Sequence, residues 1–167
     1  MAKLTIRQEG DPVLRQKAKP VKKITRRIVK LLQDMEETMY ANDGVGLAGP
    51  QVGVLEQLVV IDVGDGPVHL VNPRLVSGEG SEVDVEGCLS IPGVFGYVDR
   101  YEHVTVHALD EKGRQRKIKA SELYARALQH EIDHLHGILF IDKATGIHRP
   151  EDDEKQDGER DEMADKQ

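Results

Sequence analysis

Gln129-His130-Glu131-Ile132-Asp133-His134 is the stretch on which the reading of this chain turns. On an α-helix, positions i and i+4 share a face, so His130 and His134 present two imidazoles to one point, as two nitrogen ligands of a single metal ion must. Glu131 follows the first imidazole, where a carboxylate reaches a water on that ion without being a ligand itself. The pattern is His-Glu-x-x-His. Ser121 as an N-cap, Glu122 in the first turn and Gly137 as a stop predict a helix over 121–136. Within it Leu123, Ala127, His130 and His134 follow 4-3-4 spacing, so two histidines end an otherwise apolar stripe. Buried imidazoles need partners, and a metal satisfies both.

Working outward, 167 residues fit one domain with a tail, read as a catalytic unit over 1–148 and an acidic segment over 149–167. No apolar run approaches a bilayer span, and the start lacks the apolar core of a signal peptide. The single cysteine, Cys88, has no intrachain partner for a disulfide. These features favour a reducing cytoplasm, give no reason to expect membrane or DNA binding, and leave Cys88 available for chemistry. The net charge of −7 is unevenly spread: residues 1–30 hold ten Lys/Arg against Glu9 and Asp11, and residues 150–167 hold nine Asp/Glu against Lys155, Arg160 and Lys166. The basic start raises an RNA or ribosome contact; without interleaved aromatics, a solvated face is the favoured reading.

Residues 1–24 read as an extended lead-in punctuated by Asp11-Pro12 and Lys19-Pro20. A helix is expected from Thr25 to about Ala41, with Ile28, Leu31, Leu32, Met35 and Met39 as its buried stripe. The Gly44–Gly53 stretch lacks a Walker lysine and follows a helix rather than a strand, so it reads as a loop where backbone approaches a ligand closely. Gln51 beside it offers an amide donor. Strands are expected over 54–63 and 68–71, the latter ended by Asn72-Pro73, then a polar stretch to Asp84 and a bridging segment around Cys88. Further strands follow at 94–98, at 103–108 with His103, Thr105 and His107 outward, and at 114–120; His69 reads as a surface residue. Ile138–Ile141 reads as a short buried strand, and the chain from Arg149 as disordered by composition.

If His130, His134 and Cys88 bind one divalent ion, three protein ligands leave a position open for water, the catalytic rather than the structural arrangement. The ion lowers the pKa of that water, which becomes the nucleophile; Glu131 accepts its proton and passes it to a leaving amine. The oxyanion that develops needs donors. Residue chemistry thus reaches metal-assisted hydrolysis of an amide without choosing the amide.

Three segments in order, Gly44-Val45-Gly46-Leu47-Ala48-Gly49-Pro50-Gln51, Glu86-Gly87-Cys88-Leu89-Ser90 and Gln129-His130-Glu131-Ile132-Asp133-His134-Leu135, resemble peptide deformylase, as do Asp11-Pro12-Val13-Leu14 and Gly137-Ile138-Leu139-Phe140, over roughly residues 3–143. The resemblance implies an α+β fold with a central motif-bearing helix packed against antiparallel β-sheets, an N-terminal helix and an acidic C-terminal tail. It implies removal of the formyl group from N-terminal formyl-methionine of new polypeptides, releasing formate. Cys88, His130 and His134 would hold one metal, Fe²⁺ natively with Zn²⁺, Ni²⁺ or Co²⁺ as substitutes, and Glu131 would be the acid/base. Gln51 and the Leu89 backbone N–H would hold the oxyanion, Val45, Gly46 and Gly87 would pair with the substrate backbone, and Leu123 and Ala127 would line the methionine pocket. Gly49 stands where the family usually has alanine, a change expected to loosen the loop before Gln51. Some members dock on the ribosome through a C-terminal helix, which the stretch from Glu151 does not resemble. A zinc metalloprotease shares His-Glu-x-x-His, but the third histidine of the longer pattern would fall at Phe140, and a glutamate ligand would be Glu151 or Glu154 in the tail. A metal-storage protein would fill the open position and leave Glu131 without a role.

Overall fold

Helix α2 (Glu122–Leu135) is buried over most of its circumference, including every residue from Ala125 to Ile132. The computed structural model that places it describes residues 3–149. A second helix, α1 (Arg26–Ala41), starts where Thr25 accepts a hydrogen bond from the Ile28 N–H at 3.4 Å. Eight strands surround them: β1 (Gly46–Ala48), β2 (Leu58–Ile61), β3 (Val68–Glu79), β4 (Glu82–Cys88), β5 (Ile91–Arg100), β6 (His103–Leu109), β7 (Gln115–Ser121) and β8 (Thr145–His148). They form a five-stranded sheet in the order β1-β2-β3-β6-β7 and a three-stranded sheet β4-β5-β8, all pairs antiparallel.

The pleat explains how one sheet carries two helices. On β2, Val59 and Ile61 point to α2, where Ala125, Leu128 and Ile132 meet them. Leu58 and Val60 point the other way, to Ile28, Leu32, Met35 and Met39 of α1. Period-2 side chains on a strand covered on both faces give a continuous apolar run. A third cluster, Leu14, Ile91, Val94, Val98, Leu139 and Phe140, fills the space beneath the small sheet. This is the expected α+β arrangement.

Several boundaries differ from the sequence reading. The strand over 54–63 is confined to Leu58–Ile61. β3 does not stop at Asn72-Pro73. The register shifts between Val71 and Arg74, and Asn72 takes φ +53°. A bulge therefore absorbs the missing proline N–H, while the Asn72 amide bonds Val21 N at 2.7 Å and Val21 O at 2.8 Å. The polar stretch to Asp84 is strand on both sides of Gly80. Ile138–Ile141 forms no strand; Phe140–Asp142 is a 3-10 turn because the Asp142 carboxylate accepts from Leu139 N at 3.0 Å and pairs with Arg15. The lead-in contains a 3-10 turn at Pro12–Arg15. Ser121 sits at the N-cap of α2 but makes no capping bond; its hydroxyl bonds His103 Nδ1 at 2.7 Å, and Glu122 enters the helix at φ +55°. His69 is half-buried beside Glu36 at 3.0 Å. Of the segment read as disordered, all but Arg149 lies outside the described residues.

Gly137 ends α2 at φ +74°, with the Ile138 N–H returning to Asp133 O at 3.0 Å, and a Cβ there would lie 2.5 Å from Arg15 O. Both the left-handed backbone and the close approach require glycine. Gly137→Ala is expected to cost about 1–3 kcal/mol, read as a lower urea midpoint with an unchanged slope.

Candidate active site

Cys88 at the end of β4 and His130 and His134 on α2 bring Sγ and two imidazoles together, with one ligand atom from each lying within 4.8 Å of the others. His134 Nε2 stands 3.3 Å from His130 Nε2 and 3.4 Å from Cys88 Sγ. The i, i+4 spacing puts both imidazoles on one helix face, and the small sheet delivers the sulfur from the opposite side. Both imidazoles are buried, and Cys88 is half-buried.

A carboxylate fixes the first imidazole. Glu86 Oε1 lies 2.8 Å from His130 Nδ1. A carboxylate only accepts, so Nδ1–H is the donor and Nε2 is the nitrogen that faces the cluster. Glu86 is itself clamped: Arg100 donates from Nε and Nη2, each at 2.8 Å, and Arg126 from Nη1 at 2.6 Å. Arg100 continues to Asp133 at 2.6 Å, which Lys143 also meets at 2.9 Å. Burial alone would raise the Glu86 carboxyl; Arg100 and His130 more than offset it and hold it far below the ordinary range.

Burial lowers the His130 imidazole, yet bonds to Cys88 and Glu86 and the nearby Glu131 carry it up to about 10. Burial and then the charge on His130 push His134 the other way. The pocket thus accommodates positive charge between two nitrogens and a sulfur, the donor set that a borderline divalent ion takes. The residues fit a metal. Glu131 stands beside them with Oε2 buried and unpartnered, as is His134 Nδ1. Burial pushes the Glu131 carboxyl up to about 7, against the opposing charge of His130, close to the best value for a group that exchanges protons near neutral pH. A Cβ on Gly46 would meet Glu131 Oε1 at 2.7 Å, so glycine lets β1 approach this carboxyl.

Gln51 points its amide at the same place. Its Oε1 accepts from the Ala48 N–H at 2.9 Å, which orients Nε2 toward Ser90 Oγ at 3.1 Å and Cys88 Sγ at 3.4 Å. Gly49, just before it, is packed tightly: a Cβ there would lie 2.6 Å from Glu56 O. The glycine therefore permits close packing of the loop in place of the expected loosening.

Residues 3–150 match the family model described as polypeptide deformylase. The chain belongs to the polypeptide deformylase family. Members are metal-dependent hydrolases that remove N-terminal formyl groups. It is 59% identical over 143 residues, 86% of this chain and 90% of the relative, to a peptide deformylase of Caldanaerobacter subterraneus. It is 58% identical to one of Thermoanaerobacter pseudethanolicus, over 86% of this chain and 91% of that one. A crystal structure of the family member from Thermotoga maritima superposes with a TM-score of 0.85 at 42% identity, covering 87% of this chain and 99% of that one. The Synechococcus elongatus member, solved in complex with actinonin, gives 0.84 at 46%, over 87% and 82%.

A cleft of 570 Å³ opens onto the cluster, bordered by Val45, Gly46, Gln51, Gly87, Leu89, Leu123 and Ala127, all of the remaining residues singled out from the sequence. Val45 and Leu123 are exposed, while Gly46 and Ala127 are buried. β1 and β4 are edge strands of different sheets, and both edges border this cleft. Sequence reasoning missed Glu86, Arg100, Arg126, Asp133 and Ser90. Period 2 on the strand placed Glu86 with Cys88, and i, i+4 placed Arg126 with His130; both signals were present but carried no known motif role. Arg126 also sends Nη1 to Val98 O at 2.9 Å and Nη2 to Glu82 O at 2.7 Å, so it offers the cleft mainly its methylene stem.

Glu86→Gln is expected to weaken metal affinity about 10–100-fold and to destabilise the fold by roughly 3–5 kcal/mol, since it leaves buried guanidinium charge uncompensated. The sign with pH follows from the depressed carboxyl. Its contribution is full above the unfolded value of 4.5 and is lost as pH falls below it. Urea titrations from pH 6 to 3 should show the native chain losing stability more steeply than the Gln variant.

Proposed function

We propose that this chain hydrolyses the formyl amide of N-terminal formyl-methionine on newly synthesised polypeptides in the cytoplasm, releasing formate and a free amine. The observation that carries the reading is the convergence of Cys88, His130 and His134 beside the unpartnered carboxyl of Glu131 at the cleft. Residues 1–148 are the catalytic unit, the acidic segment 149–167 carries no site chemistry, and any ribosome contact is transient.

Cys88, His130 and His134 hold the metal, Fe²⁺ in the cell with Zn²⁺, Ni²⁺ or Co²⁺ as substitutes. When bound, a divalent ion polarises the formyl carbonyl and lowers the pKa of a water. Glu131 takes up a proton at its carboxylate and returns it to the leaving nitrogen, a shuttle suited to a group raised to about 7. Gln51 Nε2 and the Leu89 backbone N–H donate to the oxygen that becomes negative; the Gln51 amide, held by the Ala48 N–H, needs little reorganisation during reaction. Val45, Gly46 and Gly87 lie on the two edges bordering the cleft, where an extended peptide satisfies both by adding a strand. Leu123, Ala127 and the Arg126 stem supply the apolar wall for methionine.

Release of the free α-amine should be measured on a formyl-Met peptide and on its N-acetyl counterpart. Release from the first alone is expected. Glu131→Gln should lower turnover by at least about 10²–10⁴-fold with metal content unchanged. Normal turnover in that variant, or equal hydrolysis of internal peptide bonds, contradicts the proposal.

A further inference from the structure

On β3, β6 and β7 the residues pointing away from α2 fall into rows. Arg74, His107 and Lys117 are aligned in one, and Ser77, Thr105 and Lys119 in the next. The alternate residues Val104, Val106, Ile118 and Ala120 point into the core with α2. Helix α1 covers the outward face only as far as Val71 and its partner Leu109. Beyond that the face is open, with Arg74, Lys117 and Lys119 exposed and His107 half-buried. The segment leading into α1 borders it, because Ile24 packs toward Gly113 in the β6–β7 turn. That segment carries exposed Lys22 and Lys23, and Arg26 opens the helix.

Among the described residues, none of these six cations has an ion-pair partner within 4.0 Å. Their neighbours do: Arg27 meets Glu56 at 2.6 Å and Lys30 meets Asp34 at 3.4 Å. The carboxylates nearest this face are Glu79, opposite His103 at the far end, and Glu36 and Glu111, both beside His69. Lysines on an edge strand discourage strand pairing. That accounts for Lys117 and Lys119 on β7, but not for Arg74 on the interior strand β3 or for the cations outside the sheet.

We propose that this face docks RNA through its phosphate backbone. A chain of net charge −7 has no overall attraction for a polyanion, yet here it gathers unpaired cations on one sheet face and on the segment bordering it. Apart from the half-buried imidazole of His107, the two rows contain no aromatic and no large aliphatic side chain, so they lack the anchors of a protein interface. They also lack a stacking platform for bases, and binding is therefore independent of sequence. None of the six cations borders the cleft, so docking and hydrolysis are separable.

The test is fluorescence anisotropy of a labelled RNA hairpin titrated with the full, metal-loaded chain. Six phosphate contacts predict an affinity loss of roughly 10³-fold between 50 and 200 mM salt. The variant Arg74→Glu/Lys117→Glu/Lys119→Glu should bind at least about tenfold more weakly with a shallower salt slope, and release formate from a short formyl peptide at the native rate. Lys22→Glu/Lys23→Glu/Arg26→Glu alters a different element and should do the same, so misfolding of one variant leaves the other decisive. Absence of RNA binding by the native chain at 50 mM salt, native affinity in either folded variant, or equally tight binding to polyglutamate or anionic lipid vesicles would overturn the proposal.

Discussion

A single buried carboxylate ties the two halves of this molecule together. Glu86 belongs to the small sheet, Arg126 and His130 to α2, and Arg100 to the end of β5; all four meet within hydrogen-bonding distance. Two guanidinium groups and an imidazole around one carboxylate leave none of these buried charges without a partner, the condition under which burying them is tolerable. The same contact decides which nitrogen of His130 faces Cys88. Structural and chemical demands thus fall on one residue, and the network's geometry is set before any ligand arrives.

Around that clamp, the fold presents two strand edges to one cleft. An exposed edge invites association with other chains; here β1 and β4 border one groove, which under the proposed function an extended peptide would line on both sides. The residues of greatest proposed consequence are those least comfortable in the folded chain. Glu131 is buried with an unpartnered oxygen, and its carboxyl is raised to about 7. A buried acid with a raised pKa contributes stability below its unfolded value and loses it as pH rises through the folded one. At neutral pH and above, the metal-free chain bears that cost, a trade of stability for reactivity common at active sites.

The candidate ligands Cys88, His130 and His134 and their neighbour Glu131 were legible because helix periodicity and motif order are local properties, whereas the residues bordering the cleft were given their roles only through the family resemblance. Both helices were legible for the same reason. β3 was not, since Asn72-Pro73 reads as a terminator unless a bulge is known to absorb it. Residues 138–141 were misread because a four-residue apolar run does not distinguish a strand from a buried turn, and the deciding group, Arg15, lies 127 residues from Asp142. The clamp on Glu86 was not read for a similar reason: its partners come from two other elements, β5 and α2, and only tertiary structure brings them to β4.

The central claim is that Cys88, His130 and His134 together hold one ion that hydrolysis requires. Its most direct measurement is titration of the metal-free chain with Co²⁺ under anaerobic conditions, following the sulfur-to-cobalt charge-transfer band and formate release from a formyl-Met peptide in the same samples. Both signals should rise together and saturate at about one equivalent, and Cys88→Ser should abolish the band and weaken binding, because a hydroxyl is a harder and poorer ligand than a thiolate. Full formate release from the metal-free chain, or a band that survives Cys88→Ser, would contradict the account.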